Sequence, residues 1–120
     1  MDSGEISTKI RPQQQAKHIE GTPQFERYKT SRLAKGKTPQ SILTLSVEQA
    51  QNLVEQYKCT GTVRITKSGK ESVKIIEFCN TEAIVGKYFD NNEYHDTKRI
   101  GIYYSKRGTH IVPVKEEHNG

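Results

Sequence analysis

The sequence lacks tryptophan, contains only two cysteines, and has a hydrophobic fraction of just 32% over its 120 residues. Its apolar runs are short, and none approaches the roughly 18 residues that a membrane-spanning helix needs. The N-terminus also lacks the apolar centre of a signal peptide. These absences predict one small domain with a small core, a polar surface and no membrane partner.

Several site motifs are missing as well. There is no Walker loop, GxSxG or GxGxxG. Cys59 and Cys79 do not form a CxxC pair, and no His/Cys cluster has zinc spacing. The acidic residues are scattered, which argues against a catalytic metal site. We therefore expect no cofactor and no metal, and two buried thiols in preference to one disulfide.

The net charge of +5 predicts an anionic partner. Nucleic acid is the first candidate, an acidic protein the second and a membrane surface the third.

Composition divides the chain into three parts. Residues 1–14 are polar, with a glutamine run, and predict a disordered linker. Residues 15–115 form a single domain, and 116–120 a polar tail.

Helix signals lie in the first half of the domain. Thr22 as N-cap and Pro23 at the first helical position predict a helix over about 23–34. Ser46 and Gln49 form a capping-box pattern before a second helix. The apolar face of that helix consists of Ala50, Leu53, Val54 and Tyr57.

After Gly61 the hydrophobic period changes to two, which predicts strands. About five strands are expected, at 63–66, 73–78, 83–89, 98–104 and 109–114, with a turn at 68–70 and a loop at 90–92. Pro113 cannot donate a ladder hydrogen bond, so the last strand should be an edge or should end there. The fold class is α+β, with helices packed on a twisted, mainly antiparallel sheet.

The most informative segment is 105–113, between two apolar runs. It predicts a tight hairpin that presents Ser105, Lys106, Thr109 and His110 together. Such a set can hold a phosphate and transfer a proton. We assign His95 to a solvated surface and His118 to an inert tail, which leaves His18 and His110 as candidates.

These residue types suit RNA cleavage without a metal. The RNA 2′-hydroxyl attacks the neighbouring phosphate, a base accepts its proton, and an acid protonates the departing 5′-oxygen. Histidine serves both roles because its pKa lies near neutrality. Lysine and hydroxyl donors stabilise the developing charge. Exposed tyrosines among cations can stack on bases, although alternate tyrosines of a strand can equally be core residues. The consecutive Tyr103 and Tyr104 must point to opposite faces, so at most one of them is buried in a one-faced sheet.

Two blocks carry a family resemblance: Gln-Ala-Lys-His-Ile-Glu-Gly-Thr at 15–22, and Ile-Tyr-Tyr-Ser-Lys-Arg-Gly-Thr-His-Ile-Val-Pro at 102–113. Together with 41–43, 50–57 and 60–62, they resemble the bacterial polymorphic toxin type 50 domain over roughly residues 14–114. The resemblance implies the fold shared by barnase, EndoU, the tRNA-cleaving colicins and RelE-like toxins, and a ribonucleolytic activity. Such domains end large contact-dependent or secreted toxins, and also phage head-morphogenesis-like proteins.

The resemblance points to a set of site residues: His18, Thr22, Ser105, Lys106, Thr109 and His110. The family commonly has a histidine where this chain has Tyr103. If that histidine is the base, Tyr103 or His18 must replace it here. The predicted catalytic set is therefore His110, His18, Lys106, Ser105, Thr109 and Tyr103. The predicted RNA-binding set is Lys17, Thr22, Arg64, Arg99, Arg107 and Tyr104.

The leading hypothesis is a monomeric, metal-independent ribonuclease toxin domain, delivered as part of a larger toxin and acting on RNA in the target-cell cytoplasm. Transfer RNA is one candidate substrate, and an acidic immunity protein is the expected partner. His18 and His110 should lie within about 10 Å of each other, the reach of an acid–base pair around one phosphate. The alternatives are a non-catalytic nucleic-acid-binding or packaging module of a phage particle, and a protein-interaction domain with a basic face.

Overall fold

The computed structural model describes residues 7–68, 72–105 and 108–116. The helices are α1 (Pro12–Ala16), α2 (Pro23–Ala34) and α3 (Val47–Tyr57). The strands are β1 (Ile42–Leu43), β2 (Thr62–Ser68), β3 (Ser72–Asn80), β4 (Gly86–Asp90), β5 (Glu93–Thr97), β6 (Arg99–Tyr104) and β7 (His110–Pro113). The α+β class is confirmed, and the described residues form seven strands in two antiparallel sheets instead of about five in one.

The two longer helices begin where their capping residues predict. The Thr22 hydroxyl accepts a hydrogen bond from the Phe25 amide at 3.0 Å, and Pro23 occupies the first turn of α2. Ser46 and Gln49 form both hydrogen bonds of a capping box at the start of α3. On the apolar face of α3, Ala50 and Val54 are fully buried in the core, and the partly buried Leu53 and Tyr57 pack against it.

The larger sheet has the strand order β2-β3-β6-β7. Its inner face supplies Ile100, Ile102 and Ile111 to the core, all with no exposed surface. Tyr103 pairs with His110 across β6 and β7, and the alternation of a strand places both on the opposite, outer face. The prediction that the strand ending at Pro113 is an edge is confirmed.

The smaller sheet, with the order β1-β4-β5, includes a strand that the sequence did not indicate. Asn91 and Asn92, both with positive φ, form the tight turn from β4 to β5. The 83–89 strand begins only at Gly86, where an added Cβ would lie 2.2 Å from the Ile42 carbonyl oxygen on β1. β5 escaped prediction because its residues, Glu-Tyr-His-Asp-Thr, show little apolar alternation.

The segment before residue 15 packs on the last hairpin from Ser7 onward, inside the range predicted to be a linker. Ser7 bridges to Ser105, and Ile10, which is 8% exposed, bridges to Thr109. The buried Gln15 side chain donates to the Ile111 carbonyl at 2.9 Å and accepts from the Ile111 amide at 2.8 Å. These contacts place the chain just before His18 beside the strand that carries His110.

The cysteines differ from expectation in one respect. Both are thiols, but Cys79 is buried and Cys59 is exposed. Burial raises the pKa of the Cys79 thiol, so this group stays protonated and acts as a small core residue. The predicted turn at 68–70 lies mostly outside the described residues, as does most of the tail.

A candidate active site between the N-terminal segment and the last hairpin

The imidazole rings of His18 and His110 are stacked in the structure. Their centroids lie 5.9 Å apart and their planes differ by 14°. His18 follows α1, whereas His110 is the first residue of β7. The expected proximity of the two histidines is thus confirmed.

Two tyrosines extend this pair into a row of four rings. Tyr103 stacks on His110 with centroids 5.2 Å apart. Tyr28, on α2, meets His18 edge-on at 5.9 Å. We call these four residues the ring row. Two parallel imidazolium rings in such contact would repel each other, so the row favours a pair with at most one positive charge.

The loop before β1 fixes the orientation of His18. Nδ1 of His18 lies 2.9 Å from the Ser41 carbonyl oxygen, and the Leu43 amide donates to the His18 carbonyl at 2.7 Å. Because a carbonyl oxygen only accepts, Nδ1 carries a hydrogen. In the neutral ring, Nε2 therefore holds the lone pair that can accept a proton.

Burial lowers the pKa of His18 below its usual value. The hydrogen bond to the Ser41 carbonyl opposes this shift, while the positive charges of Arg32 and Lys17 add to it. Both the lowered pKa and the fixed tautomer suit a neutral proton acceptor near pH 7.

Tyr103 is half-buried, and the pKa of its phenol shifts upward, the opposite direction from that of His18. Burial and the neighbouring Tyr28 raise the pKa of its phenol above the usual value. A phenol that stays protonated at neutral pH cannot serve as the base. Tyr103 is better suited to stack on His110 and to support its ring.

The first cavity beside the ring row has a volume of about 320 Å³ and a basic wall. We call it the cationic cavity. Outside the ring row its polar and charged lining comprises Arg11, Gln14, Lys17, Tyr104, Ser105 and Gly108. Gly108 has a φ of 135°, and an added Cβ would lie 2.8 Å from the Arg11 Cβ, so this glycine lets the Arg11 segment approach the hairpin.

A second cavity, of about 310 Å³, shares all four rings with the first. We call it the aromatic cavity, because Tyr88 and Phe89 add two further rings to its lining. Its remaining lining comprises Arg32, Thr38, Pro39, Gln40, Ser41, Tyr88, Phe89 and Val112. The ring row thus lines both cavities.

Three predicted catalytic residues belong to the hairpin predicted at 105–113, and the outcomes of these three predictions differ. Ser105 is exposed, lines the cationic cavity and donates its hydroxyl hydrogen to the Gly108 carbonyl. Thr109 has no exposed surface, and its hydroxyl donates to the Ser7 carbonyl at 2.6 Å. Thr109 thus secures the N-terminal segment instead of contacting a ligand. Lys106, like the predicted RNA-binding Arg107, lies outside the described residues.

Two predicted RNA-binding residues have structural roles. Thr22 caps α2 and donates to the Ala16 carbonyl at 2.7 Å, so its hydroxyl is fully used. Tyr104 is 4% exposed, and its hydroxyl donates to the buried Glu77 carboxylate at 2.6 Å. A ring buried in this way offers no face for base stacking, which corrects the sequence-based assignment.

The predicted cations fall into two groups. Lys17 lines the cationic cavity, and its Nζ lies 5.4 Å from the centre of the Tyr28 ring. Arg64 and Arg99 instead lie over the Phe78 ring, at 5.5 Å and 5.3 Å, and Arg99 donates to the Asn80 side chain at 3.0 Å. Neither Arg64 nor Arg99 lines the two cavities beside the ring row.

Sequence reasoning missed Arg11, Gln14, Tyr28, Arg32, Gln40 and Ser41. Arg11 lay in the predicted linker, and Tyr28 lay in the helix predicted over about 23–34 with no role in the site assigned to it. Only Ser41 carried a signal, because it belongs to one of the blocks that resemble the toxin family.

The described residues lack both a metal-binding cluster and a membrane-spanning helix. No group of three or more His, Cys, Asp or Glu side chains there is placed to hold a metal ion. No helix in that part of the chain is long and apolar enough to cross a membrane.

The sequence profile described as bacterial toxin 50 matches residues 10–113. The matched range includes every described helix and strand and all four residues of the ring row. The chain therefore belongs to the bacterial toxin 50 family and is a bacterial toxin domain. No curated protein and no solved structure gives a significant match.

Proposed function

We propose that this toxin domain is a metal-independent endoribonuclease in which His18 is the general base and His110 the general acid. The observation that carries the proposal is the stacked His18–His110 pair, shared by a basic cavity and an aromatic one. Membership of a toxin family supports an activity that harms a cell, and RNA is an essential polyanion that a chain of net charge +5 attracts.

The reaction begins with the lone pair on His18 Nε2. It accepts the proton of the RNA 2′-hydroxyl, whose oxygen attacks the adjacent phosphorus. The bond from phosphorus to the 5′-oxygen breaks, and His110 donates a proton to that oxygen. The products are a 2′,3′-cyclic phosphate and a 5′-hydroxyl, so protons and electrons balance without a redox partner or a metal.

Positive side chains support the same reaction. Arg11 and Lys17 line the cationic cavity next to the two histidines. Their charges are suited to bind the scissile phosphate and to stabilise the negative charge that develops on it. Lys106 remains a predicted contributor from the hairpin.

The proposal has consequences for the producing cell. A domain that cleaves cellular RNA must be neutralised where it is made, so we infer an acidic immunity protein that covers the cationic cavity. Its carboxylates imitate phosphates, and opposite charges accelerate association. The toxin itself is delivered as part of a larger protein and acts on RNA, with tRNA as one candidate, in the target-cell cytoplasm.

Incubation of the purified protein with total RNA in excess EDTA tests the activity. We expect RNA fragments with the natural protein and intact RNA with His110→Ala. A non-catalytic nucleic-acid-binding module would instead bind DNA and RNA alike, in a salt-dependent manner, and leave the RNA intact.

A further inference from the structure

The lining of the aromatic cavity combines aromatic rings with two polar residues, Gln40 and Ser41, which we call its floor. The rings include those of Tyr88 and Phe89, consecutive residues of β4, and those of Tyr28 and His18. Tyr88 is held in place by stacking on His95, with ring centroids 5.3 Å apart. An aromatic lining of this kind suits a nucleobase, because a base is a flat ring with a polar edge.

The floor contains a buried amide whose orientation is fixed. Nε2 of Gln40 donates to the carbonyls of Lys17 and Phe25, both at 2.9 Å. Carbonyl oxygens only accept, so the assignment of nitrogen and oxygen in this amide is settled. Its oxygen, Oε1, is buried and has no hydrogen-bond partner among the described residues.

The next residue of the chain, Ser41, carries a second buried polar atom. The Ser41 hydroxyl oxygen is buried and, in the described part of the chain, also lacks a partner. Buried polar atoms without partners are rare in folded proteins because each one costs free energy. Two of them in adjacent residues that line one cavity indicate a place where a ligand completes the hydrogen bonding.

The aromatic cavity and the cationic cavity differ in the positive charge of their linings. The cationic cavity has Arg11 and Lys17, whereas Arg32 is the one cation that lines the aromatic cavity in the described residues. Arg32 already donates from Nε to the Thr38 carbonyl at 2.7 Å and lies 5.6 Å from the Tyr28 ring centre. A phosphate is therefore better accommodated in the cationic cavity, and an uncharged ring in the aromatic one.

We propose that the aromatic cavity binds the base of the nucleotide next to the scissile phosphate, and reads its polar edge with Gln40 Oε1 and the Ser41 hydroxyl. The proposal rests on the ribonuclease function proposed above. Both atoms are buried, and the residues that carry them line the cavity. Because Oε1 only accepts, it requires an N–H group on the bound edge, and the hydroxyl either donates or accepts beside it.

This geometry also defines the class of RNA substrate. A base can enter a walled cavity only after leaving its stack and its pair. The substrate is thus an unpaired nucleotide, in a loop or a single strand, and not a regular duplex.

The test uses short oligonucleotides with one ribose among deoxyriboses, so that only one bond can be cleaved. The base on each side of that bond is varied through adenine, cytosine, guanine, uracil and an abasic residue. We expect the natural protein to discriminate among the bases about tenfold or more on one side, as paired hydrogen bonds to a base edge do. The abasic substrate should be cleaved as slowly as the worst base.

Substitutions in the lining of the aromatic cavity test whether the discrimination among bases arises there. Ser41→Ala should reduce the difference among bases without lowering the melting temperature, because it removes an unpartnered hydroxyl. Tyr88→Ala should raise KM for all bases, whereas Tyr88→Leu, which retains apolar volume, separates loss of stacking from loss of packing. Ser31→Ala, at an exposed position of α2, is the matched control and should behave like the natural protein.

A binding measurement separates the two proposals. Fluorescence anisotropy with unreactive 2′-O-methyl oligonucleotides reports base preference whether or not cleavage occurs. Base-dependent binding without cleavage of any RNA would reject the ribonuclease and keep the base-binding cavity. Cleavage at rates within about twofold for every base and for the abasic substrate would overturn the base-binding proposal and leave the ribonuclease intact.

Discussion

The rings of His18 and His110 lie parallel with centroids 5.9 Å apart, although the two residues come from opposite ends of the chain. The contact depends on the N-terminal segment, which Gln15 fixes to Ile111 through two hydrogen bonds. Both rings line the cationic cavity and the aromatic cavity, so a nucleotide chain that extends from one cavity to the other passes both histidines.

The first prediction concerns the proposed acid. His110→Ala should lower the cleavage rate by at least about 10²-fold, the usual contribution of a general acid, while leaving the circular dichroism spectrum unchanged. His118→Ala, which changes the histidine that the sequence assigns to the polar tail, should retain activity. Natural rates in a folded His110→Ala protein would remove His110 from the mechanism.

The second prediction concerns pH and the proposed base. Cleavage requires neutral His18, whose pKa is lowered by burial. The acidic limb of kcat/KM should therefore lie below the ordinary histidine value of about 6.5. A limb at or above that value would contradict the assignment of His18 as the base.

The same shift links pH to stability. An unfolded chain protonates His18 near pH 6.5, about the ordinary value, whereas the folded chain does so only at lower pH. The stability that neutral His18 contributes is thus fully present above the pKa that His18 has in the unfolded chain. It is lost as pH falls through the pKa that His18 has in the folded chain. Urea unfolding at neutral and mildly acidic pH should show that acid lowers the stability of His18→Gln less than that of the natural protein.

The third prediction separates a structural residue from an RNA contact. Desolvation would raise the pKa of Glu77, but hydrogen bonds from Tyr104 and from the Gly61 and Cys59 amides outweigh it and lower that pKa. Tyr104→Phe removes the bond to this buried carboxylate and should cost about 1–3 kcal/mol of stability. RNA affinity of the folded variant should be unchanged; a weaker affinity would restore Tyr104 as a binding residue.

The fourth prediction concerns the cationic cavity. Arg11→Ala and Lys17→Ala should each weaken RNA binding and reduce the slope of log affinity against log salt by about one phosphate contact. Lys58→Ala is the matched control, because Lys58 already pairs with Glu55 at 2.9 Å on α3, away from the cavity. Equal effects of all three changes would indicate a general attraction of RNA to positive charge and would contradict a defined phosphate-binding site.

Local patterns of the sequence predicted much of the fold. The α2 and α3 starts follow from Thr22 and Ser46, whose side chains cap the adjacent helix, and the apolar alternation marks β3, β6 and β7. Local patterns could not indicate α1, whose polar residues are ordered by long-range contacts, or β5, whose residues show little apolar alternation. The Ile111–Gln15 pair is one such contact, and no spacing rule reports it.

The candidate site was only partly predictable for the same reason. Histidine chemistry identified His18 and His110, and the family resemblance supported both. Residue type alone could not show that the Thr109 hydroxyl is used by Ser7, or that Tyr104 points inward to Glu77. Nor could it place Gln40 and Ser41, which reach the site through the loop that orients His18.

The measurement that tests the central claim most directly is mass spectrometry of the products from an oligonucleotide containing a single ribose, cleaved in EDTA. The proposed mechanism predicts a 2′,3′-cyclic phosphate on one fragment and a 5′-hydroxyl on the other, with no cleavage when that ribose is replaced by deoxyribose. Fragments that carry a 5′-phosphate, or cleavage of the fully deoxy oligonucleotide, would contradict attack by the 2′-hydroxyl and with it the roles given to His18 and His110.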